Sequence, residues 1–150
     1  MADDFRASPR TEHERALLDV VRRYLDTYNN DVERLVLDVY SHDVDLYMTG
    51  GEIHGKDQFL AVELAILEAA PQRHMRIDRA LICGEDTVVI EAVILDRARP
   101  EFFSPLCAIF TIRDGRIVRD HSYLDPSQWP GIAAAAPLAT PGGLGKPAGA

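Results

Sequence analysis

Candidate proton-transfer groups lie in three separate parts of this 150-residue chain. Tyr24 falls on the apolar stripe of the first predicted helix, where a buried phenol needs a hydrogen-bond partner. His74 lies near the start of a predicted strand, and a neutral imidazole that titrates near pH 7 can act as a base. Asp120 lies in the last predicted strand, on the same face as Ser122 and Leu124 by the two-residue repeat of a strand. Together these groups could polarise an oxygen and move a proton.

Each candidate also has a structural interpretation that the sequence leaves open. Tyr24 could be a core tyrosine whose hydroxyl bonds to the backbone. His74 would be solvated on the outer face if Met75 and Ile77 point inward. Asp120 could instead pair with a nearby arginine at the rim of the sheet. The orientation of the strands therefore decides which of the three groups can act together.

Other chemistries have no motif in this sequence. No set of His, Cys or carboxylate residues has the spacing of metal ligands, no GxSxG elbow is present, and no Gly-rich loop links a strand to a helix. Cys107 has no histidine clearly in reach to activate its thiol, so we interpret it as a small buried apolar residue. We therefore expect neither a metal nor a cofactor.

The formal charge disfavours polyanionic partners. The chain has 16 Lys and Arg against 24 Asp and Glu, which gives a net charge of −8. A field of this sign repels phosphate backbones and anionic lipid surfaces, so we expect neither a nucleic acid nor a membrane partner. The N-terminal residues carry acids and no apolar signal-type stretch, and no run approaches the roughly 18 apolar residues of a membrane span. Cys83 and Cys107 stand without a CxxC motif, which fits a reducing cytoplasm.

Helix signals dominate the N-terminal half of the chain. Thr11 and Glu14 form a capping box, which starts a first helix that ends at Asn29-Asn30. Asp31 can cap a second short helix. Residues 57–70 have the apolar spacing of a third helix.

Strand signals dominate the second half. Asp114-Gly115 is a two-residue hairpin turn. A first strand, a third helix and then four consecutive strands give an α+β class, with a curved, mostly antiparallel sheet wrapped around three N-terminal helices and an internal apolar pocket. We expect one domain over 11–130, a flexible N-terminus over 1–10 and a disordered Ala/Pro/Gly-rich tail over 131–150. The predicted strands are residues 44–49, 73–82, 87–95, 105–112 and 116–124.

Three motifs in this order resemble the nuclear transport factor 2-like superfamily. They are VVRRY at 20–24, HGKD at 54–57 and DGRIVRDHSYLDP at 114–126. Within the superfamily the chain looks most like the SnoaL-like polyketide cyclases, over about residues 12–128. The resemblance implies a cone-shaped domain, in which a bent sheet and three helices enclose a pocket. It also implies cofactor-independent chemistry on hydrophobic small molecules, and dimers through the sheet.

The catalytic residues of these relatives carry over only in part. Tyr24 matches the phenol that donates to the enolate oxygen in ketosteroid isomerases, and His74 matches a pocket histidine of scytalone dehydratase-like relatives. The acids and other polar groups of the isomerases, epoxide hydrolases and cyclases fall on side chains that are weaker acids or bases here. We expect these side chains to contact the substrate instead. They are Leu46, Met48, Ala92, Ile94, Cys107 and Ser122.

The resemblance leaves different functions open. Our first hypothesis is an isomerase, dehydratase or cyclase of secondary metabolism that acts on a hydrophobic, polyketide- or steroid-like carbonyl compound. In this enzyme Tyr24 polarises an oxygen and His74 or Asp120 moves the proton. The alternative is a small-molecule-binding or dimerisation module that has lost the family's catalytic carboxylates. A third hypothesis is an enzyme that steers a cyclisation chiefly by the shape of its pocket.

We expect the protein to form a homodimer through the outer face of its sheet. Val89, Val93 and Leu95 lie on one face of a predicted strand beside Glu91, opposite the pocket. An apolar sheet face of this kind is typical of an interface between copies.

Overall fold

The first helix begins at the predicted capping box. The computed structural model describes residues 5–144, and α1 spans Glu12–Asn30. The Thr11 hydroxyl accepts a hydrogen bond from the Glu14 N–H at 3.1 Å, and the Glu14 carboxylate accepts one from the Thr11 N–H at 3.3 Å. These two bonds satisfy backbone donors that the first turn leaves free, so the prediction of this helix start is confirmed.

A short second helix leads directly into the sheet. The Asp31 carboxylate accepts a hydrogen bond from the Arg34 N–H at 3.1 Å and starts α2 (Val32–Arg34), as predicted. A π-helical turn over Leu35–Val39 follows. The first strand, β1 (Tyr40–Met48), begins at the end of that turn, before the predicted start at residue 44.

A curved seven-stranded sheet forms the second layer within residues 5–144. Its strand order is β3-β4-β5-β6-β1-β2-β7, in which β1 and β6 pair in parallel and the other neighbours are antiparallel. The predicted α+β class with a mostly antiparallel sheet and N-terminal helices is confirmed. None of the helices in the described part of the chain is long and apolar enough to cross a membrane. The remaining elements are β2 (Gly51–His54), α3 (Lys56–Ala69), β3 (Arg73–Cys83), β4 (Thr87–Asp96), β5 (Phe103–Arg113), β6 (Arg116–Leu124), α4 (Ile132–Ala135) and β7 (Thr140–Pro141).

The hairpin between β5 and β6 turns at Asp114-Gly115, as predicted. The two residues have φ values of +50° and +73°. Two successive positive φ values are typical of a type I′ turn, whose twist matches that of the flanking strands. Arg113 and Arg116 therefore pair directly across the turn, which sets the register of β6.

The apolar core lies between the helices and the inner face of the sheet. In β4 and β5 the buried side chains recur at alternate positions, as expected for strands with one face on the core. The inner positions of these two strands include Val88, Ile90, Ala92, Ile94, Leu106, Ala108 and Phe110.

Residues 129–144, which we call the C-terminal segment, fold against the domain. This observation corrects the expectation of a disordered tail from residue 131. The strand β7 pairs with β2, and the Leu144 N–H donates a hydrogen bond to the Met48 carbonyl oxygen at 3.0 Å. Backbone hydrogen bonds to a sheet edge need no bulky side chains, so a composition of small residues does not prevent this pairing. Residues 145–150 of the expected tail lie outside the described residues.

The N-terminal residues also contact the sheet. Phe5 is buried, the Arg6 N–H donates to the Asp78 carbonyl oxygen at 3.2 Å, and the Ala80 N–H donates to the Arg6 carbonyl oxygen at 2.9 Å. The expectation of a flexible stretch over residues 1–10 is therefore corrected at Phe5 and Arg6. Residues 1–4 lie outside the described residues.

We expect Gly131→Ala to destabilise the protein more than Gly84→Ala. Both glycines have positive φ, +82° and +70°, which costs an alanine about 1–2 kcal/mol. A Cβ at Gly131 would also lie 2.7 Å from the Ile66 carbonyl oxygen of α3, whereas a Cβ at Gly84 meets nothing within 4 Å. Urea unfolding of both variants measures the difference in the free energy of unfolding. Equal losses would contradict the close packing of the C-terminal segment on α3.

Candidate functional site

An internal cavity lies among α1, α3, β1, β6 and the C-terminal segment. Its volume is about 40 Å³. The wall combines aliphatic and aromatic side chains with two carboxylic acids, several hydroxyls and an indole. The lining residues are Tyr24, Tyr28, Leu35, Tyr40, Leu46, Tyr47, Met48, Phe59, Glu63, Ile66, Asp120, Ser122, Leu124, Trp129 and Ile132.

Asp120 is a buried acid in this wall, 4% exposed. The Tyr40 hydroxyl donates a hydrogen bond to one carboxyl oxygen at 2.7 Å, and the Ser122 hydroxyl donates to the other at 2.7 Å. Ser122 shares a face of β6 with Asp120, while Tyr40 arrives from the start of the parallel strand β1. The structure thus pairs this acid with two hydroxyls rather than with an arginine at the rim.

Burial brings the pKa of Asp120 close to neutral pH. Removal from water disfavours the carboxylate and raises the pKa of Asp120 to about 6, and the hydrogen bonds from Ser122 and Tyr40 oppose this rise. A carboxyl group with this pKa changes its charge close to neutral pH. It can therefore accept a proton and return it without a large energetic penalty.

The Tyr24 phenol occupies the same wall. Its ring centroid lies 4.9 Å from that of Phe110 and 6.3 Å from that of Tyr40. Burial and, after it, the negative charge of Asp120 raise the pKa of Tyr24 well above its usual value. The phenol therefore stays protonated at neutral pH and can donate a hydrogen bond to an oxygen that gains negative charge.

A buried ion pair forms a second polar cluster next to the cavity. Glu63 of α3 accepts a hydrogen bond from the Arg73 guanidinium at 3.0 Å, and the guanidinium carbon lies 4.1 Å from the centroid of the Tyr28 ring. Burial raises the pKa of Glu63, and the charge of Arg73 opposes that rise. Because the two opposite charges lie side by side, this cluster can stay ionised in a buried position.

The structure brings five of the sequence-selected residues to the cavity. Tyr24 and Asp120 line it together with Leu46, Met48 and Ser122. Asp120 and Ser122 share the inner face of β6, as their spacing predicts. This group contains a carboxyl, a phenol and a serine hydroxyl beside two apolar side chains.

The other four selected residues lie elsewhere, and their expected placement is corrected. Met75, next to His74 on β3, is buried in the core, so His74 points to the outer face of the sheet. Cys107 also lies on the outer face, because the buried positions of β5 are its even-numbered neighbours. Ala92 and Ile94 do point inward, but they pack in the core beyond the cavity wall.

Sequence reasoning missed five polar residues of the cavity, which are Tyr28, Tyr40, Tyr47, Glu63 and Trp129. Glu63 carried a usable signal, since it is a charged residue between Phe59 and Ile66 on the apolar stripe of α3. Trp129 is the one tryptophan of the chain and directly precedes a stretch of small residues. The contact between Tyr40 and Asp120 spans 80 positions, and no local pattern indicates it.

This architecture, a curved sheet packed on N-terminal helices around an internal cavity, is the nuclear transport factor 2-like α+β fold. A family model described as a SnoaL-like domain matches residues 21–120. The chain therefore belongs to the SnoaL-like domain family, as the resemblance implied. No curated protein matches the sequence significantly.

Solved structures share this fold at low sequence identity. A candidate SnoaL-like polyketide cyclase from Jannaschia sp. CCS1 is 15% identical, with a TM-score of 0.66 over 87% of this chain and 98% of that chain. A candidate polyketide cyclase from Sinorhizobium meliloti is 26% identical, with a TM-score of 0.60 over 71% and 94%. A candidate ketosteroid isomerase from Kribbella flavida is 16% identical, with a TM-score of 0.61 over 74% and 78%.

We expect the wild-type protein to lose stability relative to Asp120→Asn as the pH rises from about 4 to about 6. The folded-state pKa of Asp120 is about 6, whereas an unfolded aspartate titrates near 3.9. Between these values the unfolded chain ionises first. The stability that the protonated acid supplies is therefore complete below the lower value and lost on approach to the upper one. Two pKa units correspond to roughly 3 kcal/mol.

Urea unfolding at several pH values measures this difference. Asp38→Asn is the matched control, because Asp38 is an exposed acid whose carboxylate lies 3.2 Å from the Arg34 side chain at the surface. A stability difference between wild type and Asp120→Asn that does not change with pH would contradict the burial of Asp120.

Proposed function

We propose that this protein is a cofactor-independent isomerase, dehydratase or cyclase that acts on a hydrophobic carbonyl compound. The observation that carries the proposal is that the carboxyl group of Asp120 and the phenol of Tyr24 line one cavity. Burial raises the pKa of Asp120 to about 6 and keeps Tyr24 protonated at neutral pH. Perturbed acids in an internal cavity are typical of sites of proton transfer.

The proposed reaction starts with proton removal by Asp120. The carboxylate takes a proton from the carbon next to the substrate carbonyl, and the C–H electron pair moves into the enolate. Tyr24 donates a hydrogen bond to the oxygen on which negative charge develops. For an isomerase, Asp120 then returns the proton to a different carbon. For a cyclase, the enolate attacks a second carbonyl carbon of the same molecule, the C=O π pair moves to its oxygen, and Asp120 gives its proton to that alkoxide. For a dehydratase, Asp120 gives the proton to a β-hydroxyl, which leaves as water while the enolate forms the C=C bond. Tyr40 and Ser122 hold the carboxyl group in position through their 2.7 Å hydrogen bonds.

The residues that take the catalytic roles differ in part from those selected from the sequence. His74 has no part in it, because its side chain lies on the outer face of the sheet. Asp120 replaces the acid that relatives carry at the position of Ser122, two residues further along the same face of β6. The carboxyl group thus originates about 7 Å away along the strand, at roughly 3.3 Å per residue.

The dimensions of the cavity require a movement when substrate binds. Its volume of about 40 Å³ is far below the roughly 300 Å³ of a small-molecule pocket. Trp129 and Ile132 of the C-terminal segment contribute one part of the wall. A substrate with one or more rings must therefore displace part of the wall, to which this segment belongs.

The alternative function, a binding module without catalysis, rests on the loss of acids at family positions. Two ionisable groups that converge in the cavity weaken this alternative. Asp120 and Tyr40 meet at 2.7 Å, and Tyr24 lines the same space. A module selected only for binding has no need for a buried acid that titrates near neutral pH.

We expect the protein to catalyse exchange of the α-protons of 2-tetralone in deuterated buffer. Asp120→Asn should slow the exchange by about 100-fold or more, because an amide cannot accept the proton. Tyr24→Phe should slow it by at least about tenfold through loss of the donor to the enolate oxygen. The wild-type rate should rise with pH through about 6 and then level, as the Asp120 carboxylate forms. Proton NMR measures each rate.

Asp38→Asn controls for the removal of a surface charge and should leave the exchange rate unchanged. Rates of exchange in Asp120→Asn and Tyr24→Phe equal to that of wild type would reject the proposed roles. A wild-type rate equal to that of buffer would reject catalysis on simple ketones and favour the binding module.

We also propose a homodimer through the outer face of the sheet. Leu81, Phe103 and Tyr123 are 43%, 52% and 47% exposed on the strands that form this face, whereas Val93, which we expected there, is buried within its own chain at 2% exposure. The Glu91 carboxylate accepts a hydrogen bond from Arg79 of its own chain at 3.0 Å. The neutralised charge leaves the surrounding apolar surface available to a second copy.

Light scattering after size exclusion should give the mass of a dimer at micromolar concentration. Tyr123→Glu should shift the protein towards the monomer, because it places an unpaired charge in the apolar interface. Leu64→Glu is the matched control, since Leu64 is 41% exposed on α3, away from the sheet. A wild-type monomer, or equal masses for both variants, would contradict this interface.

The proposed compartment is the reducing cytoplasm. Cys83 and Cys107 are both free thiols, and they lie in different strands. Disulfides are rare in reducing compartments, so two unpaired cysteines fit this location. The net charge of −8 supports a small neutral molecule, rather than a nucleic acid, as the ligand.

A further inference from the structure

Two buried polar atoms on residues that line the cavity have no hydrogen-bond partner among residues 5–144. They are the hydroxyl of Tyr28, a residue that is 3% exposed, and the indole Nε1 of Trp129, a residue that is 9% exposed. Both residues line the cavity that contains Asp120. Buried polar groups in folded proteins nearly always have a partner, which is another protein group, an ordered water or a ligand. A ligand that enters this cavity can therefore take the place of water at these two groups.

The two atoms belong to the part of the cavity next to α3. The Tyr28 ring lies under the Arg73 guanidinium, which bonds to Glu63 of α3. Trp129 lies two residues before Gly131, where an added Cβ would lie 2.7 Å from the carbonyl oxygen of Ile66, about one turn beyond Glu63 on α3. The acid cluster of Asp120 and its two hydroxyl partners is held instead by β1 and β6. The cavity therefore has two polar clusters on different elements.

The chemistry of the unpaired atoms defines what they can bind. An indole N–H is a donor only. Burial raises the pKa of Tyr28, so its hydroxyl stays protonated and can also donate. The group that satisfies both is an acceptor oxygen. An anionic acceptor is disfavoured, because the Glu63 carboxylate and Asp120 line the same cavity.

We propose that Tyr28 and Trp129 bind a second, neutral oxygen of the substrate, a carbonyl, ether or hydroxyl oxygen remote from the carbonyl that reacts at Asp120. This inference rests on the proposed function for the identity of the reacting end. It defines the substrate class more narrowly, as a neutral hydrophobic compound with two oxygen functions. Because Trp129 lies on the C-terminal segment, a hydrogen bond from its indole to the substrate would also hold that segment against the bound molecule.

The tests use binding rather than turnover. The probes are 2-naphthol, which has one oxygen, and its 2,3-, 2,6- and 2,7-dihydroxy analogues, which add a second oxygen at three different separations. Calorimetric titration should show at least one diol binding about five- to tenfold more tightly than 2-naphthol. Trp129 is the one tryptophan in the chain, so its fluorescence reports whether the probe enters the cavity.

Two variants remove only the proposed donors. Tyr28→Phe deletes the hydroxyl, and replacement of Trp129 with benzothienylalanine, introduced by stop-codon suppression, exchanges the N–H for sulfur in a ring of nearly the same shape. Each should reduce the advantage of the diol to about twofold or less. Tyr123→Phe, which deletes an exposed hydroxyl on the outer face, is the matched control and should retain the advantage.

Unfolding measurements separate this role from a structural one. Because the Tyr28 hydroxyl has no partner, Tyr28→Phe should unfold at the same urea concentration as wild type or at a higher one. Clear destabilisation by this change would assign the hydroxyl to the fold and overturn the proposal.

Two further results would also overturn it. One is that no diol binds more tightly than 2-naphthol, absence of all binding included. The other is that the advantage of the diol persists in both variants. Failure of the 2-tetralone exchange alongside a donor-dependent diol preference would reject only the proposed reaction. Exchange that depends on Asp120 without such a preference would reject only the second-oxygen site.

Discussion

The parallel pairing of β1 with β6 is the constraint on which the site depends. It places Leu46 opposite Asp120 and Met48 opposite Ser122, and it aligns Tyr40 with Ile117 at the other end of the strand pair. The strand β1 shifts register between Tyr40 and residue 45. Through this arrangement a tyrosine hydroxyl reaches an acid that is 80 positions distant in the chain. Antiparallel hairpins alone join only neighbouring segments, so this contact requires the whole fold.

The electrostatic properties of the cavity follow from burial. Loss of water raises the pKa values of Asp120 and Tyr24, and it makes the Glu63 carboxylate depend on its contact with Arg73. The cost of burying a negative charge is therefore offset in a different way for each of the two carboxyl groups, Glu63 and Asp120. The Glu63 carboxylate lies next to the positive charge of Arg73. Asp120 has only two hydroxyl donors, and its pKa of about 6 is close to neutral pH. This difference separates a structural acid from one that can exchange a proton.

The C-terminal segment forms part of the cavity wall and contacts both α3 and the sheet. It packs on α3 through Gly131, pairs with β2 through β7, and contributes Trp129 to the cavity wall. The Gln58 side chain donates hydrogen bonds to the Leu138 carbonyl oxygen at 3.0 Å and the Thr140 hydroxyl at 3.1 Å. The hydrogen bonds from Gln58 lie near the surface, whereas Trp129 and Ala135 of the segment are buried in the core. Surface hydrogen bonds of this kind open more readily than the core of the sheet.

Local patterns in the sequence determined the elements of this protein and the relation between near neighbours. The capping box at Thr11, the Asp114-Gly115 turn and the shared face of Asp120 and Ser122 depend on residues a few positions apart, and the structure has all three. The family followed from the same patterns. These features could be predicted because their energies arise within one helix turn or one hairpin.

Only the tertiary structure decided which faces point inward and which distant groups meet. A two-residue repeat shows that His74 and Met75 lie on opposite faces, but pairing of β3 with β4 and packing on the core decide which one is buried. Strand pairing and core packing likewise decide that Cys107 lies on the outer face of the sheet. The contacts of Tyr40 with Asp120, of Glu63 with Arg73 and of the C-terminal segment with β2 join separate parts of the chain. Their energies exist only after folding, so no local pattern in the sequence contains them.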